Sequence, residues 1–284
     1  MDILIKALAL DNQIRVYITK TRLVYKKADK LHKLSSNSGL VLSKVLSMAI
    51  LMGGTLKGDQ GLTIKLNGKG PIGNVVVDTN SFGIVRGYVD NPSVILQNDE
   101  INEFKTLGNN GIIDIIKDLD LKNLYSSTIP LQYPLIQDNF MDYYINSEQI
   151  VTFIGLSNLD NPGGIMIQLM PNYSENVITF LKSKLEEIYN ISNLFSSIQN
   201  PHEILKHLFP DYKTLEEIKP IYKCSCNKNH FKKGIISLGA KEIEEMIIED
   251  ETAETVCNYC NKKYVFSKQE LQEILKYLKE KTNE

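Results

Sequence analysis

The chain has 284 residues, of which 43% are hydrophobic and 23% are charged, so it is too apolar for wholesale disorder and has the composition of a globular protein. Lys and Arg number 32 against 34 Asp and Glu, and the resulting net charge of −2 argues against a general nucleic-acid-binding protein. No stretch approaches the roughly 18 uninterrupted apolar residues that would span a membrane, and residues 1–20 lack the pattern of a secretory signal, so we expect a cytoplasmic protein with no membrane partner.

The first 173 residues are predicted to form one mixed α+β domain. Residues 13–19 alternate between apolar and polar side chains, as a half-buried strand does. Residues 38–51 are apolar around most of a helical circumference, so we expect a buried helix packed against β-sheets. Further strands are predicted at residues 62–66, 74–78, 84–89 and 164–169.

One glycine pattern in this domain imitates a dinucleotide-binding motif. Gly68, Gly70 and Gly73 have the required spacing, but the motif must open a helix, whereas a β-branched run follows here and Pro71 lies in the turn. We therefore predict a hairpin and no cofactor site. Because no catalytic triad, paired carboxylates or phosphate loop occurs in a suitable context, we predict that the protein is not an enzyme and has no catalytic residues.

Residues 174–222 are predicted to be a helical connector. Its apolar residues at helical spacing are Ile178, Leu181, Leu185 and Ile188. Pro201, Pro210 and Pro220 then divide the segment into short elements. The connector is too apolar for a free linker and too fragmented for a core of its own, so we expect it to dock on another part of the chain and to be metastable.

Four cysteines occur in the chain, all within residues 223–284. Cys224 and Cys226 form a Cys-x-Cys pair, and Cys257 and Cys260 form a Cys-x-x-Cys pair. Two tight pairs in a chain without an export signal favour one zinc ion bound by four thiolates in a tetrahedron. An iron–sulfur cluster is the main competitor, and His230 is an alternative ligand. Four thiolates would leave no open position for water, which argues against a zinc hydrolase.

The region around the cysteines is predicted to be a small metal-binding module. Residues 239–248 have helical spacing, and the acidic run at 242–251 is expected to be solvated. Residues 223–284 carry 11 basic and 11 acidic side chains, without the basic excess of a nucleic-acid-binding zinc module.

The spacing leaves the role of the module open. The zinc could be an inert structural clip, or, because zinc-bound sulfurs keep thiolate character, the cysteines could be a redox switch. An alternative of another class is a thiol-disulfide oxidoreductase that uses Cys257 and Cys260. Against it, residues 261–266 after the second pair have the pattern of a strand rather than a helix.

The sequence resembles the heat shock protein 33 family of bacterial redox-regulated holdase chaperones nearly from end to end. The segments that carry the resemblance are residues 32–35, 51–53, 56–58, 70–73, 86–89, 116–119, 147–149, 163–171, 224–226, Gly239, 242–245 and 257–260. Departures are minor: the buried helix is richer in Ser and Leu than the family pattern, and Tyr222 stands where Phe is common. None of these departures affects a cysteine.

The resemblance implies a specific function. In the reduced state Cys224, Cys226, Cys257 and Cys260 would bind zinc and the chaperone would be inactive. Oxidants such as peroxide or hypochlorous acid would form Cys224–Cys226 and Cys257–Cys260 disulfides and eject zinc. The module and the connector would then unfold, and the protein, as a homodimer, would bind unfolding client proteins without ATP. The apolar face of Ile178, Leu181, Leu185 and Ile188, with the surface that it covers, is the candidate client surface.

Overall fold

The structure, a computed structural model, describes residues 1–249 and 252–282, and the chain divides into two compact units. Unit 1 comprises Met1–Lys223 and unit 2 comprises Cys224–Glu284. The boundary thus falls within one residue of the predicted start of the metal module, at residue 223. The predicted domain and the predicted connector lie together in unit 1.

Unit 1 contains two β-sheets. Its strands are β1 (Ile3–Ala9), β2 (Ile14–Lys20), β3 (Gly61–Asn67), β4 (Val75–Asn80), β5 (Ile84–Val89), β6 (Gly111–Asp118), β7 (Tyr125–Leu131), β8 (Thr152–Leu156), β9 (Gly163–Leu169), β10 (Lys213–Ile218) and β11 (Ile221–Tyr222). The first sheet has the order β10-β1-β2-β9-β8 and is antiparallel throughout. The second sheet has the order β11-β5-β4-β3-β6-β7, in which only the pairing of β11 with β5 is parallel. The glycine-rich residues 68–73 join antiparallel β3 and β4, which confirms the predicted hairpin.

The helices of unit 1 lie between and outside the sheets. They are α1 (Arg22–His32), α2 (Ser36–Gly53), α3 (Glu103–Leu107), α4 (Ile136–Tyr143), α5 (Glu175–Tyr189), α6 (Ile191–Ser197) and α7 (Pro201–Leu208), and a π-helical turn at Tyr144–Glu148 follows α4. The predicted buried helix is α2, which begins after Ser35, whose hydroxyl accepts a hydrogen bond from the Ser38 amide. It packs with residues of both sheets in one core, so the predicted α+β class with a buried helix is confirmed.

Within the described residues, α2 is the one helix that is long and apolar enough to cross a membrane. Of its 18 residues, 89% are buried inside the protein, as in the central helix of a folded domain.

The helices of the connector cover the opposite face of the first sheet. Apolar side chains of α5, α6 and α7 share a second core with β1, β2 and β9. The members that the connector contributes are Val177, Leu181, Ile188, Ile191, Phe195, Ile204, Leu205, Leu208 and Phe209. Unit 1 is therefore layered in the order connector helices, first sheet, α2, second sheet.

The prediction of a helical connector is wrong for its last part, because residues 213–222 form strands. β10 pairs with β1 at the edge of the first sheet, and β11 pairs with β5 at the edge of the second. Nearly all side chains of β10 are exposed, so this edge strand has no apolar alternation that a sequence pattern could reveal. The end of the connector therefore supplies an edge strand to each sheet before the chain reaches the cysteines.

Unit 2 is a small α/β module. It contains α8 (Lys228–Leu238), α9 (Ala240–Glu249), β12 (Thr252–Val256), β13 (Lys263–Ser267) and α10 (Lys268–Thr282). The two strands form an antiparallel hairpin, and its core contains Ile235, Ile243, Tyr264, Phe266, Leu271 and Ile274. The predicted helix at 239–248 is α9, and its acidic residues Glu242, Glu245 and Glu249 are exposed, whereas the end of the predicted acidic run, residues 250–251, lies outside the described residues.

Candidate metal and redox centre

The first cysteine pair lies between β11 and α8. Cys224 and Cys226 are partly buried while Ser225 between them is exposed, which is the alternation that an extended chain produces. Helix α8 begins directly afterwards, because the Asn227 side chain accepts a hydrogen bond from the His230 amide at 3.0 Å. The chain thus presents both thiols on one side before it turns into the helix.

The second cysteine pair lies in the turn of the β12–β13 hairpin. The Cys257 amide donates to the Lys262 carbonyl at 3.0 Å, and the Asn261 amide donates to the Cys257 carbonyl at 2.8 Å. Asn261 has φ +56°, a left-handed conformation that asparagine tolerates better than most residues. This closed turn directs Cys257 and Cys260 toward the first pair.

The four sulfur atoms converge. All four lie within 4.8 Å of one another, with Cys224 Sγ 3.7 Å from Cys257 Sγ and Cys226 Sγ 3.4 Å from Cys260 Sγ. Both distances far exceed the roughly 2.05 Å of a disulfide, and no disulfide joins the four cysteines. Four thiolates about 2.3 Å from one tetrahedral zinc ion would lie about 3.8 Å apart, and the cluster fits that size.

His230, the alternative ligand, lies outside the cluster. Among the described His, Cys, Asp and Glu side chains, the set that brings its ligand atoms together consists of the four cysteines alone. The His230 side chain is exposed, and its ring contacts Phe231. Its amide serves to cap α8.

The thiols differ in acidity. Burial raises the pKa of Cys226, but hydrogen bonds with Tyr264 and the neighbouring thiols outweigh this effect and lower that pKa to about 7. Burial raises the pKa of Cys257, and burial with thiol hydrogen bonds raises the pKa of Cys260 to about 12. Without a cation, therefore, the cluster does not hold four thiolates at neutral pH, and a bound metal ion would supply the compensating positive charge.

Only part of the candidate client surface is buried in the way that its helical spacing predicts. Leu181 and Ile188 are fully buried and Ile178 is partly buried against the first sheet, but Leu185 is 40% exposed. Val177, which the sequence analysis did not select, is buried beside them. The four residues therefore share one helix but not one buried face.

Tyr264 is a member of the site that sequence reasoning did not identify. Its hydroxyl lies 3.3 Å from Cys226 Sγ and donates a hydrogen bond to the Cys226 carbonyl at 2.9 Å. The residues lie 38 positions apart in sequence, so only its place four residues after Cys260, on the inward side of a strand, could have marked it.

Comparisons with known proteins agree with this architecture. The family model described as "Hsp33 protein" matches residues 2–267. The 33 kDa chaperonin of Bacillus subtilis (strain 168) is 35% identical over 283 residues, which cover 96% of this chain and 97% of the relative. The 33 kDa chaperonin of Enterococcus faecalis (strain ATCC 700802 / V583) is 37% identical, with 96% of both chains covered.

A solved structure has the same fold over the whole chain. The crystal structure of the 33 kDa chaperonin (heat shock protein 33 homolog) of Thermotoga maritima matches with a TM-score of 0.89 and 30% sequence identity. The match covers 100% of this chain and 99% of the other. Together with the family match across nearly all residues, this shows that the chain belongs to the Hsp33 family.

Proposed function

We propose that this protein is a redox-regulated, ATP-independent holdase chaperone of the bacterial cytoplasm that responds to oxidative stress. In the reduced, zinc-bound state it is inactive, and disulfide formation with zinc release activates it to keep unfolding proteins from aggregating. The observation that carries the proposal is the convergence of four cysteine thiols, arranged as Cys-x-Cys and Cys-x-x-Cys and not joined in disulfides, in a chain of the Hsp33 family.

Zinc is the metal that the donor set favours. Cys224, Cys226, Cys257 and Cys260 would hold one ion, and four sulfur donors at tetrahedral spacing are the preferred environment of structural zinc. When bound, zinc would cross-link the first pair to the hairpin and contribute on the order of 10 kcal/mol to the folded state of unit 2.

Oxidation would remove the ligands. A thiolate attacks one oxygen of a peroxide, which gives a sulfenic acid and releases water after protonation; the second thiol of the pair displaces the hydroxyl as a second water. Each pair thus gives up two electrons to reduce one peroxide to two waters. We propose Cys224–Cys226 and Cys257–Cys260 as the disulfides, in line with the family resemblance. A disulfide across only one intervening residue is strained and easily reduced, which would make activation reversible.

We propose that the client surface consists of the face of the first sheet that the connector covers and of the apolar side chains on the connector itself. β11 ends at Tyr222, two residues before Cys224, so the connector leads directly into the oxidised segment. If α5–α7 leave the first sheet, Ile5, Val16, Ile18, Ile165 and Ile167 become exposed as one apolar face, together with Leu181 and Ile188 of the connector. Contiguous apolar surface of this kind binds unfolded chains.

We also propose that the oxidised protein is a homodimer.

The oxidoreductase alternative has less support. A redox-active Cys-x-x-Cys needs an accessible thiol of low pKa, whereas Cys257 is 4% exposed and burial raises its pKa. The pair also lies in a hairpin turn rather than at the start of a helix. Catalysed reduction of insulin disulfides at a rate well above that of free dithiothreitol would favour it over the chaperone proposal.

Zinc content and disulfide mapping test the redox part of the proposal. Reduced protein should contain one zinc per chain, and peroxide with mild heat should release it while mass spectrometry finds Cys224–Cys226 and Cys257–Cys260. Dithiothreitol with added zinc should restore the starting state. Retention of zinc after full oxidation of the protein by peroxide, or disulfides between the two pairs, would contradict it.

A further inference from the structure

Tyr264 connects the two halves of the cysteine cluster without using a thiol. It lies on β13, the strand that follows Cys257 and Cys260, yet its hydroxyl reaches the first pair. There it donates to the Cys226 carbonyl at 2.9 Å and lies 3.3 Å from Cys226 Sγ. The main chain and the side chain of one cysteine are thus both in contact with one hydroxyl group.

The tyrosine ring is held in place. It is 8% exposed, and it packs against the ring of Phe231 on α8, with 5.0 Å between the ring centroids. The Lys262 ammonium group lies 5.1 Å from the Tyr264 centroid. Because the ring is fixed by α8 and its own strand, the position of the hydroxyl is fixed as well.

We propose that Tyr264 is a positioning residue for the cluster: its hydroxyl holds Cys226 against the β12–β13 hairpin and, when the Cys226 sulfur binds metal, shares its one proton between the Cys226 carbonyl and that sulfur. A metal-bound sulfur has no proton to donate, so in that state the single hydroxyl proton lies between two acceptors, the Cys226 carbonyl oxygen and the Cys226 sulfur. This inference rests on the proposed zinc-dependent function and concerns how readily the cluster gives up its metal.

Two consequences follow from the contact. Groups that orient metal ligands typically change metal affinity by about 10–100-fold when they are removed, so loss of the hydroxyl should weaken zinc binding. A hydrogen bond also withdraws electron density from a sulfur lone pair, so its loss should lower the energy of sulfur-to-metal charge transfer. The second effect depends on the contact with the sulfur and not on stability alone.

The test uses the full chain with Tyr264→Phe and, as a matched control, Phe266→Leu, which removes a buried ring from the same strand but keeps the hydroxyl. Zinc retention is measured by competition with a chelator, and cobalt(II) bound to the reduced protein reports the charge-transfer band. Tyr264→Phe should bind zinc at least about tenfold more weakly. It should also move the cobalt band to longer wavelength, whereas Phe266→Leu should leave the band in place.

An unchanged band in Tyr264→Phe, or the same shift in Phe266→Leu, would overturn the inference. If the wild type still binds metal in that case, the proposed function stands. A wild-type chain that gives no tetrathiolate cobalt spectrum would overturn both. If Tyr264→Phe does not fold, a fluorinated tyrosine at this position, which is a stronger hydrogen-bond donor, should move the band to shorter wavelength. Lack of that shift would overturn the inference equally.

Discussion

At the residue scale, burial separates side chains that the sequence pattern treats alike. Leu181 and Leu185 lie one helical turn apart on α5, but Leu181 is fully buried against the first sheet and Leu185 is 40% exposed. A helix face inferred from spacing alone cannot reveal how far its partner surface extends. The stability of the docked connector therefore depends on individual positions, which matched substitutions can resolve.

We predict that Leu181→Ala lowers the free energy of unfolding of unit 1 by about 2–5 kcal/mol, because it leaves a cavity between α5 and the first sheet. Leu185→Ala removes the same atoms from a half-exposed site and should cost less than about 1 kcal/mol. Urea unfolding followed by circular dichroism measures both. Equal losses in the two variants would mean that α5 does not pack as described.

Gly155 is a second position at which a single added side-chain atom would disturb the packing of the connector. A Cβ added there would lie 1.8 Å from the Ile188 carbonyl oxygen at the end of α5, so no larger residue fits while the connector is docked. We predict that Gly155→Ala displaces α5, makes residues 174–222 more sensitive to protease, and gives the reduced protein part of the chaperone activity of the oxidised form.

Gly234→Ala is the control for that substitution. Gly234 lies within α8 of unit 2, and a Cβ added there meets no atom within 4 Å. Alanine should stabilise this helix by up to about 1 kcal/mol and leave the connector unchanged. If both alanine variants altered connector proteolysis alike, the close contact at Gly155 would not be the cause.

At the scale of elements, the sequence predicts the helices and strands in which buried residues recur at regular intervals. It misses a strand that forms only because it pairs with a distant part of the chain. The buried α2 and strands β2–β5 and β9 have strong apolar patterns and occur where expected. β10 is largely charged and exposed and pairs with β1 at the edge of the sheet, so no local pattern marks it. In the site, spacing predicted the gathering of the four thiols, but not the hydroxyl of Tyr264, because a hydrogen bond across 38 residues leaves no periodic signal.

A charged contact between α5 and α7 gives the connector a dependence on pH. Glu187 accepts a hydrogen bond from Lys184 at 2.7 Å and pairs with His207 on α7, and these contacts, the first above all, lower the pKa of Glu187 against the opposing effect of burial. Because the folded-state pKa is depressed, the contribution to stability is complete above the ordinary glutamate pKa of about 4.5. It is lost as pH falls through the lower, folded-state value.

We therefore predict that Glu187→Gln lowers the free energy of unfolding by about 0.5–1 kcal/mol at pH 6, a value limited by the solvent exposure of the pair. At pH 3 the difference should be smaller than at pH 6, because protonation of Glu187 begins to remove its charge. Urea unfolding at the two pH values measures the difference in stability between the variant and the wild type. The titration of all other carboxylates is common to both and cancels in this difference. A difference that stayed constant over this range would show that the carboxylate charge contributes nothing.

At the scale of the whole molecule, the connector helices of unit 1 bury an apolar face of the first sheet. The α2 core between the two sheets does not involve the connector helices, whereas the outer face of the first sheet is buried by them. Departure of α5–α7 would thus expose an apolar surface and leave the central core in place. Unit 2 has a small core and contains the thiol cluster. Metal binding would therefore stabilise its fold, and oxidation of the thiols would destabilise it.

The most direct test of this account is light scattering from a thermally unfolding client protein in the presence of either redox form. Protein pre-treated with peroxide under mild heat should suppress aggregation, and reduced, zinc-loaded protein at the same concentration should not. Dithiothreitol and zinc added before the client should abolish the protection. Equal suppression by both forms would contradict redox control and leave a constitutive chaperone with a structural metal site, and suppression by neither would contradict the chaperone function itself.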